Sequence, residues 1–130
     1  MTISLKDGGT TATTGGTVKD FTRTNSPVTN GNEYVDVAEA NFFLRDKIIV
    51  VTRQPSLQSD GSYSKQKTSL RFIKPITLAD GSVVYNVTRV ETEIHPETPS
   101  ADLAEHREIG GQMAIGSAFD DIYIAGTLPA

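Results

Sequence analysis

Lys65-Gln66-Lys67-Thr68-Ser69-Leu70-Arg71-Phe72-Ile73-Lys74 is the stretch that decides the fold of this chain. Successive side chains of a strand point to opposite faces. Gln66, Thr68, Leu70 and Phe72 then share one face, and Lys65, Lys67, Ser69 and Arg71 share the other. One face suits a core and the other is basic. Upstream, Lys47 to Gln54 is the clearest strand, with Ile48, Ile49, Val50 and Val51 at its centre. Such a β-branched run favours the interior of a sheet. The polar loop Ser56 to Ser64 turns around Asp60-Gly61, a hairpin signal. Downstream, Pro75 to Ser82 reads as a second loop with Asp80-Gly81 at its tip. Val83 to His95 follows as a long strand, with Val84, Thr88, Val90, Thr92 and Ile94 on one face. Tyr85, Val87, Arg89, Glu91, Glu93 and His95 take the other. Its length exceeds that of an ordinary strand and predicts a run across the full width of a large sheet.

Moving outward, Ile3 to Lys6 and Thr17 to Thr24 predict an N-terminal hairpin whose strands are joined through Gly8-Gly9-Thr10 and Gly15-Gly16-Thr17. Ser26-Pro27 and Asn30-Gly31 punctuate the next turn, and Glu33 to Val37 is a short strand. Pro96 closes the strand section. Thr98-Pro99 then predicts a helix start, with Thr98 as N-cap and Pro99 at the first helical position. Leu103, His106, Ile109 and Met113 form its candidate buried stripe. Gly110-Gly111 costs roughly 1 kcal/mol per glycine relative to alanine, which predicts close packing or a break there. A second helical stretch is expected over Ser117 to Ile122, ahead of a loop-like tail. Six or seven strands followed by one or two helices make an α+β fold, an antiparallel meander covered by helices on one face.

The bulk properties bound the function. A length of 130 residues fits one domain, residues 1–130. Hydrophobic residues make up 37%, low for a compact monomer, so part of the stabilisation is expected from association with other copies. There is no cysteine, which excludes disulfides and thiolate metal sites. No apolar run is long enough for a membrane span, and the N-terminus lacks a secretory pattern, so a soluble cytosolic product is expected. The net charge of −4 argues weakly against nucleic acid, but its distribution matters more. Residues 45 to 89 carry eight basic side chains against three acidic, a balance of +5. Residues 91 to 121 carry one against eight, a balance of −7. A basic side and an acidic side follow if these segments form separate surfaces.

The chemistry-bearing candidates are few. Lys47, Arg53, Lys65, Lys67, Arg71 and Arg89 share an orientation in this reading and suit phosphate neutralisation. Tyr85 lies with them and suits stacking on an unpaired base. The plainer alternative is a solvated sheet face of mixed charge. Glu91, Glu93 and His95 alternate on one strand and have the donor types for a metal or for acid–base work. No further matched ligand accompanies them, so a polar rim is the preferred reading, with no metal and no cofactor expected. The chain holds no nucleophile elbow, phosphate loop or dinucleotide fingerprint, and no enzyme is expected.

Several stretches together resemble the coat proteins of levivirus-type single-stranded RNA bacteriophages. They are Arg45 to Ser56, the hairpin leading into Lys65 to Phe72, Pro27 to Gly31 with Val35 to Ala40, Leu5 to Thr10, and the long strand ending at Pro96 before a Glu-bearing helix. The match is collinear over nearly the whole chain, and no single motif is diagnostic. The resemblance implies an N-terminal β-hairpin, a five-stranded antiparallel sheet and two C-terminal helices. It further implies an interlocked dimer with one continuous ten-stranded sheet, assembled into an icosahedral shell. The sheet would face packaged genomic RNA, and the hairpin and helices would face outward. By resemblance, Arg53 and Tyr85 match positions that contact an RNA hairpin, with Lys47, Lys65 and Lys67 on or beside the corresponding strands; a role in repressing translation is left open. The loop containing Pro75, Asp80 and Gly81 would gather with other copies around the shell's symmetry axes. The virion, made in a bacterial cytoplasm, is the expected location, with no membrane partner. Two other classes stay in play: another phage structural module, such as a decoration or tail protein, and a stand-alone binding domain. The last conflicts with the large sheet face or edge that a monomer would leave exposed.

Overall fold

The computed structural model describes residues 2–7, 17–115 and 120–126. The chain divides into two units, residues 1–96 and 97–130. The first unit is a sheet of six antiparallel strands in sequence order: β1 (Thr2–Asp7), β2 (Thr17–Arg23), β3 (Gly31–Val35), β4 (Lys47–Arg53), β5 (Gln66–Thr77) and β6 (Val83–Ile94). The second holds α1 (Ser100–Ile115) and α2 (Asp120–Ala125). A five-stranded antiparallel sheet, β2 to β6, is followed by C-terminal helices, as expected. The N-terminal hairpin is not a separate piece, because β2 serves both hairpin and sheet. It pairs with all of β1 but meets β3 only at Thr22↔Val35 and Arg23↔Tyr34.

So short a ladder needs help from side chains. Phe21 of β2 is 1% exposed and packs with Tyr34 and Ile48, with Val50 and Phe72 against the cluster. Its ring meets Phe72 edge-on, with centroids 6.3 Å apart. Lys19, two residues earlier, bonds the buried carboxylate of Asp46 and lies 3.6 Å from Asp36. One apolar anchor and one ion cluster thus fasten the hairpin to the sheet. The register puts Tyr34, Ile48 and Phe72 in one cross-strand row, so this small core lies on a single face, here called the core face.

Turn chemistry sets the other boundaries. Asn30 has a positive φ of 57°, and Gly31 starts β3 where a Cβ would come within 2.0 Å of the Val50 carbonyl oxygen. Only glycine fits that approach. β3 ends two residues earlier than Val37 because Asp36 turns the chain: its side chain accepts from the Ala38 amide. The β4–β5 and β5–β6 connections close on the same motif, Asp-Gly-Ser. Ser62 Oγ donates to Asp60 and Ser82 Oγ to Asp80, both at 2.6 Å, and Gly61 and Gly81 share a φ of 86°.

Three expectations require correction. Pro75 does not open a loop; it sits inside β5, opposite Tyr85. The β4 ladder stops at Lys47↔Ile73, so β5 has a neighbour on one side only at Pro75, and there a missing N–H is tolerated. The loop it was assigned to is shorter and keeps Asp80 and Gly81 at its tip. α1 starts at Ser100, one residue after the Pro99 expected at its first position, and the Pro99 carbonyl accepts from the Leu103 amide. Gly110-Gly111 does not break α1, and among the described residues nothing lies within 4 Å of an added Cβ at either. The second helix begins at Asp120; residues 117 to 119 of its expected span lie outside the described residues.

Candidate RNA-binding face

The face opposite the core face carries the basic side chains, because the register aligns them in rows. Lys47, Ile73 and Val87 form one row; Ile49, Arg71 and Arg89 the next; then Val51, Ser69 and Glu91; then Arg53, Lys67 and Glu93. Pro75 and Tyr85 extend it at the opposite end. Five of the seven expected cations and aromatics lie in the Lys47-to-Arg53 rows: Lys47, Arg53, Lys67, Arg71 and Arg89. Tyr85 joins them through its pair with Pro75. Lys65 falls one residue short of β5, exposed and outside the ladder.

The rows differ in electrostatic character. Arg71 and Arg89 stand directly opposite each other, and neither has an acidic partner among the described residues. Like charges in that position repel, so the pair is better satisfied with an anion between them. Lys67 differs, with its ammonium 3.5 Å from Glu93, both well exposed. Arg53, Lys67, Glu91 and Glu93 line a shallow mixed-charge groove at that end. Glu91 and Glu93 therefore sit among cations, and no cluster of three metal-ligating side chains occurs among the described residues.

The opposite end holds residues that the sequence reading passed over. Asn41 caps a single 3-10 turn, Phe42–Leu44, by accepting from the Phe43 amide at 3.0 Å. The turn presents two exposed aromatic rings, set edge-to-face at 5.8 Å. Arg45 and Lys47 both lie over the Phe42 ring, 5.8 Å and 5.4 Å from its centroid. With Ile73, Pro75, Tyr85 and Val87 they line an open groove. The Asn at a cap position before two aromatics was the available signal, but a lone Phe-Phe pair reads as core.

Of the two acidic turns, Asp60 and Asp80 are each held below the usual carboxylate range by the hydroxyls of Ser62 and Ser82, with the serine amides adding to the effect.

Comparison with solved structures places this architecture. The chain superposes on the virus-like particle of bacteriophage GQ-907 with a TM-score of 0.82 and 33% identity, over 97% of this chain and 96% of that one. This chain belongs to the coat-protein family of levivirus-type RNA bacteriophages. Two more distant particles share the fold. Wenzhou levi-like virus 4 matches at TM-score 0.71 and 17% identity, over 100% of this chain and 89% of that one. Beihai levi-like virus 21 matches at 0.69 and 10%, over 98% and 94%. No family model and no curated protein matches the chain. The coat protein is thus a capsid component, and the decoration-module and stand-alone-domain readings give way to it. No described helix is long and apolar enough to cross a membrane.

Proposed function

We propose that this capsid protein joins a second copy through β6, assembles as dimers into a closed shell, and packages single-stranded RNA against its basic face. β6 supports the first step. It is twelve residues long and pairs only with β5 among the described strands, so its other edge carries unpaired backbone groups. Two such edges pairing would make one continuous sheet in which β2 to β6 of each copy supply ten strands, with β1 of each copy at the outer edges. Leu70, Val84 and Val90 stand exposed on the core face, and Leu103, Ile109 and Met113 stand exposed on α1. Each copy's helices covering the partner's sheet would bury both sets. The tip of the β5–β6 loop, Asp80-Gly81, is the part left to meet other dimers.

The observation that carries the RNA reading is the facing Arg71–Arg89 pair, which has no acidic partner among the described residues. A phosphate bridging them turns repulsion into attraction. Ile49, Val51, Ile73 and Val87 share that face and offer no side-chain hydrogen bonds to base edges, which favours general packaging over repression through one RNA hairpin. The test is an Arg71→Gln/Arg89→Gln double variant, expressed and purified as particles. RNA per protein should fall well below wild type while particles still form. Unchanged RNA content would refute the assignment of this face.

A further inference from the structure

We propose that the arm between β4 and β5, residues 54–65, is a contact between neighbouring copies of this coat protein, its tip lying on the base of the next copy's arm. The inference rests on the shell reading above and adds a contact that the β5–β6 loop does not supply. The arm is closed along its length by its own backbone. The Ser64 amide donates to the Ser56 carbonyl at 2.9 Å, the Gln58 amide to the Ser62 carbonyl at 2.7 Å and the Gly61 amide to the Gln58 carbonyl at 3.1 Å. Ser64 Oγ also accepts from the Ser56 amide at 2.9 Å. A connection held this way has lost its freedom before a partner arrives, so docking costs little further ordering. Leu57 and Tyr63 pair directly across the arm. Residues so opposed leave the same face, and these two make one apolar patch, 66% and 49% exposed.

The charge pattern selects the occupant. Asp60 at the tip is the only acidic residue between Arg53 and Lys65, which flank the base. All three are exposed. The arm is therefore negative at one end, apolar in the middle and positive at the other. A second arm laid head-to-tail on it meets opposite charge at each end, with the apolar patches between. Such a contact is heterologous: each copy gives its tip to one neighbour and its base to another, and around a rotation axis the contacts close into a ring. An RNA strand would meet the two cations but would be repelled by Asp60, and it would leave Leu57 uncovered.

The experiment uses the full-length coat protein expressed as particles. The chain has no cysteine, so a Gln54→Cys/Ser59→Cys variant carries one thiol at the base of the arm and one at the tip, both at exposed positions. A short bismaleimide added to intact particles should join chains into a ladder of two, three and more on a denaturing gel. Each single variant has one thiol per chain and should give no ladder. In Leu57→Ser/Tyr63→Ser, the protein concentration needed for reassembly should rise at least tenfold, because covering one such side chain is worth about that factor or more. Melting of the dissociated protein should stay at the wild-type value, since both side chains are exposed. A double-cysteine particle without a ladder, or a serine variant that reassembles at the wild-type concentration, overturns the arm contact while the shell stands. A serine variant that assembles normally with less RNA overturns it in favour of an RNA contact. Wild type that forms no particles overturns the shell reading and the arm contact with it.

Discussion

Replacing Phe21 with alanine should detach the hairpin from the sheet. Phe21 is the most deeply buried large side chain described, yet its strand meets β3 at only two residue pairs. The backbone ladder therefore cannot hold β2 in place once the ring is gone. Truncating a buried Phe to Ala costs about 3–5 kcal/mol, cavity included. The lost edge-to-face contact with Phe72 lies within that range, since such pairs are worth roughly 0.5–1.5 kcal/mol. A domain of this kind has about 5–15 kcal/mol in total, so Phe21→Ala should remove roughly a fifth of it or more. Urea unfolding at one fixed protein concentration measures the loss, the concentration being held because association contributes to stability. Phe21→Leu keeps most of the apolar volume and should cost roughly 1–1.5 kcal/mol. A Phe21→Ala variant within about 1 kcal/mol of wild type would refute the claim that this anchor fastens the hairpin.

Lys19→Met leaves the buried Asp46 carboxylate without its main cation and should destabilise by about 2–3 kcal/mol, less than a fully buried pair would because Lys19 is partly exposed; thermal melts check it, and a shift near zero would show the ion cluster to be idle. A Lys65→Gln/Lys67→Gln variant should form particles with less RNA and bind RNA with a shallower salt dependence, read from anisotropy titrations. It should barely change stability, because the Lys67–Glu93 pair is exposed. Arg89→Gln should weaken RNA binding yet slightly stabilise the RNA-free protein, since it removes like-charge repulsion opposite Arg71; destabilisation would mean the pair is structural. Asp60 and Asp80 have lowered folded-state pKa values, so their turns contribute stability above the unfolded value near 4 and lose it as pH falls through the lower folded value. Amide shifts of Ser62 and Ser82 followed by NMR should move together in that acidic window, and shifts that titrate near pH 4 or above would contradict the hydrogen-bond assignment.

The legible parts of the chain were those where one local rule acted alone. Alternation placed Lys67 and Arg71 on the basic face and Leu70 and Phe72 on the other because period-two patterning does not depend on neighbours. Asp60-Gly61 and Asp80-Gly81 were readable because their turns are closed by their own side chains. Pro75 was misread because its tolerance depends on where β4 stops, a tertiary fact that local sequence does not contain. α1 begins at Ser100 where Pro99 was expected, a one-residue difference of the kind usual at helix ends. Gly110-Gly111 suggested packing that the described chain does not provide. The aromatic groove was illegible for a similar reason: Phe42 and Phe43 come from one turn, and Tyr85 from a strand that reaches them only through the register of β5 and β6.

The capsid claim meets its most direct test when the chain is expressed alone in bacteria, run on size exclusion with absorbance read at 260 and 280 nm, and its largest fraction imaged by electron microscopy. Uniform closed particles carrying RNA are predicted. A small species free of nucleic acid, with no particles in any fraction, would contradict the account.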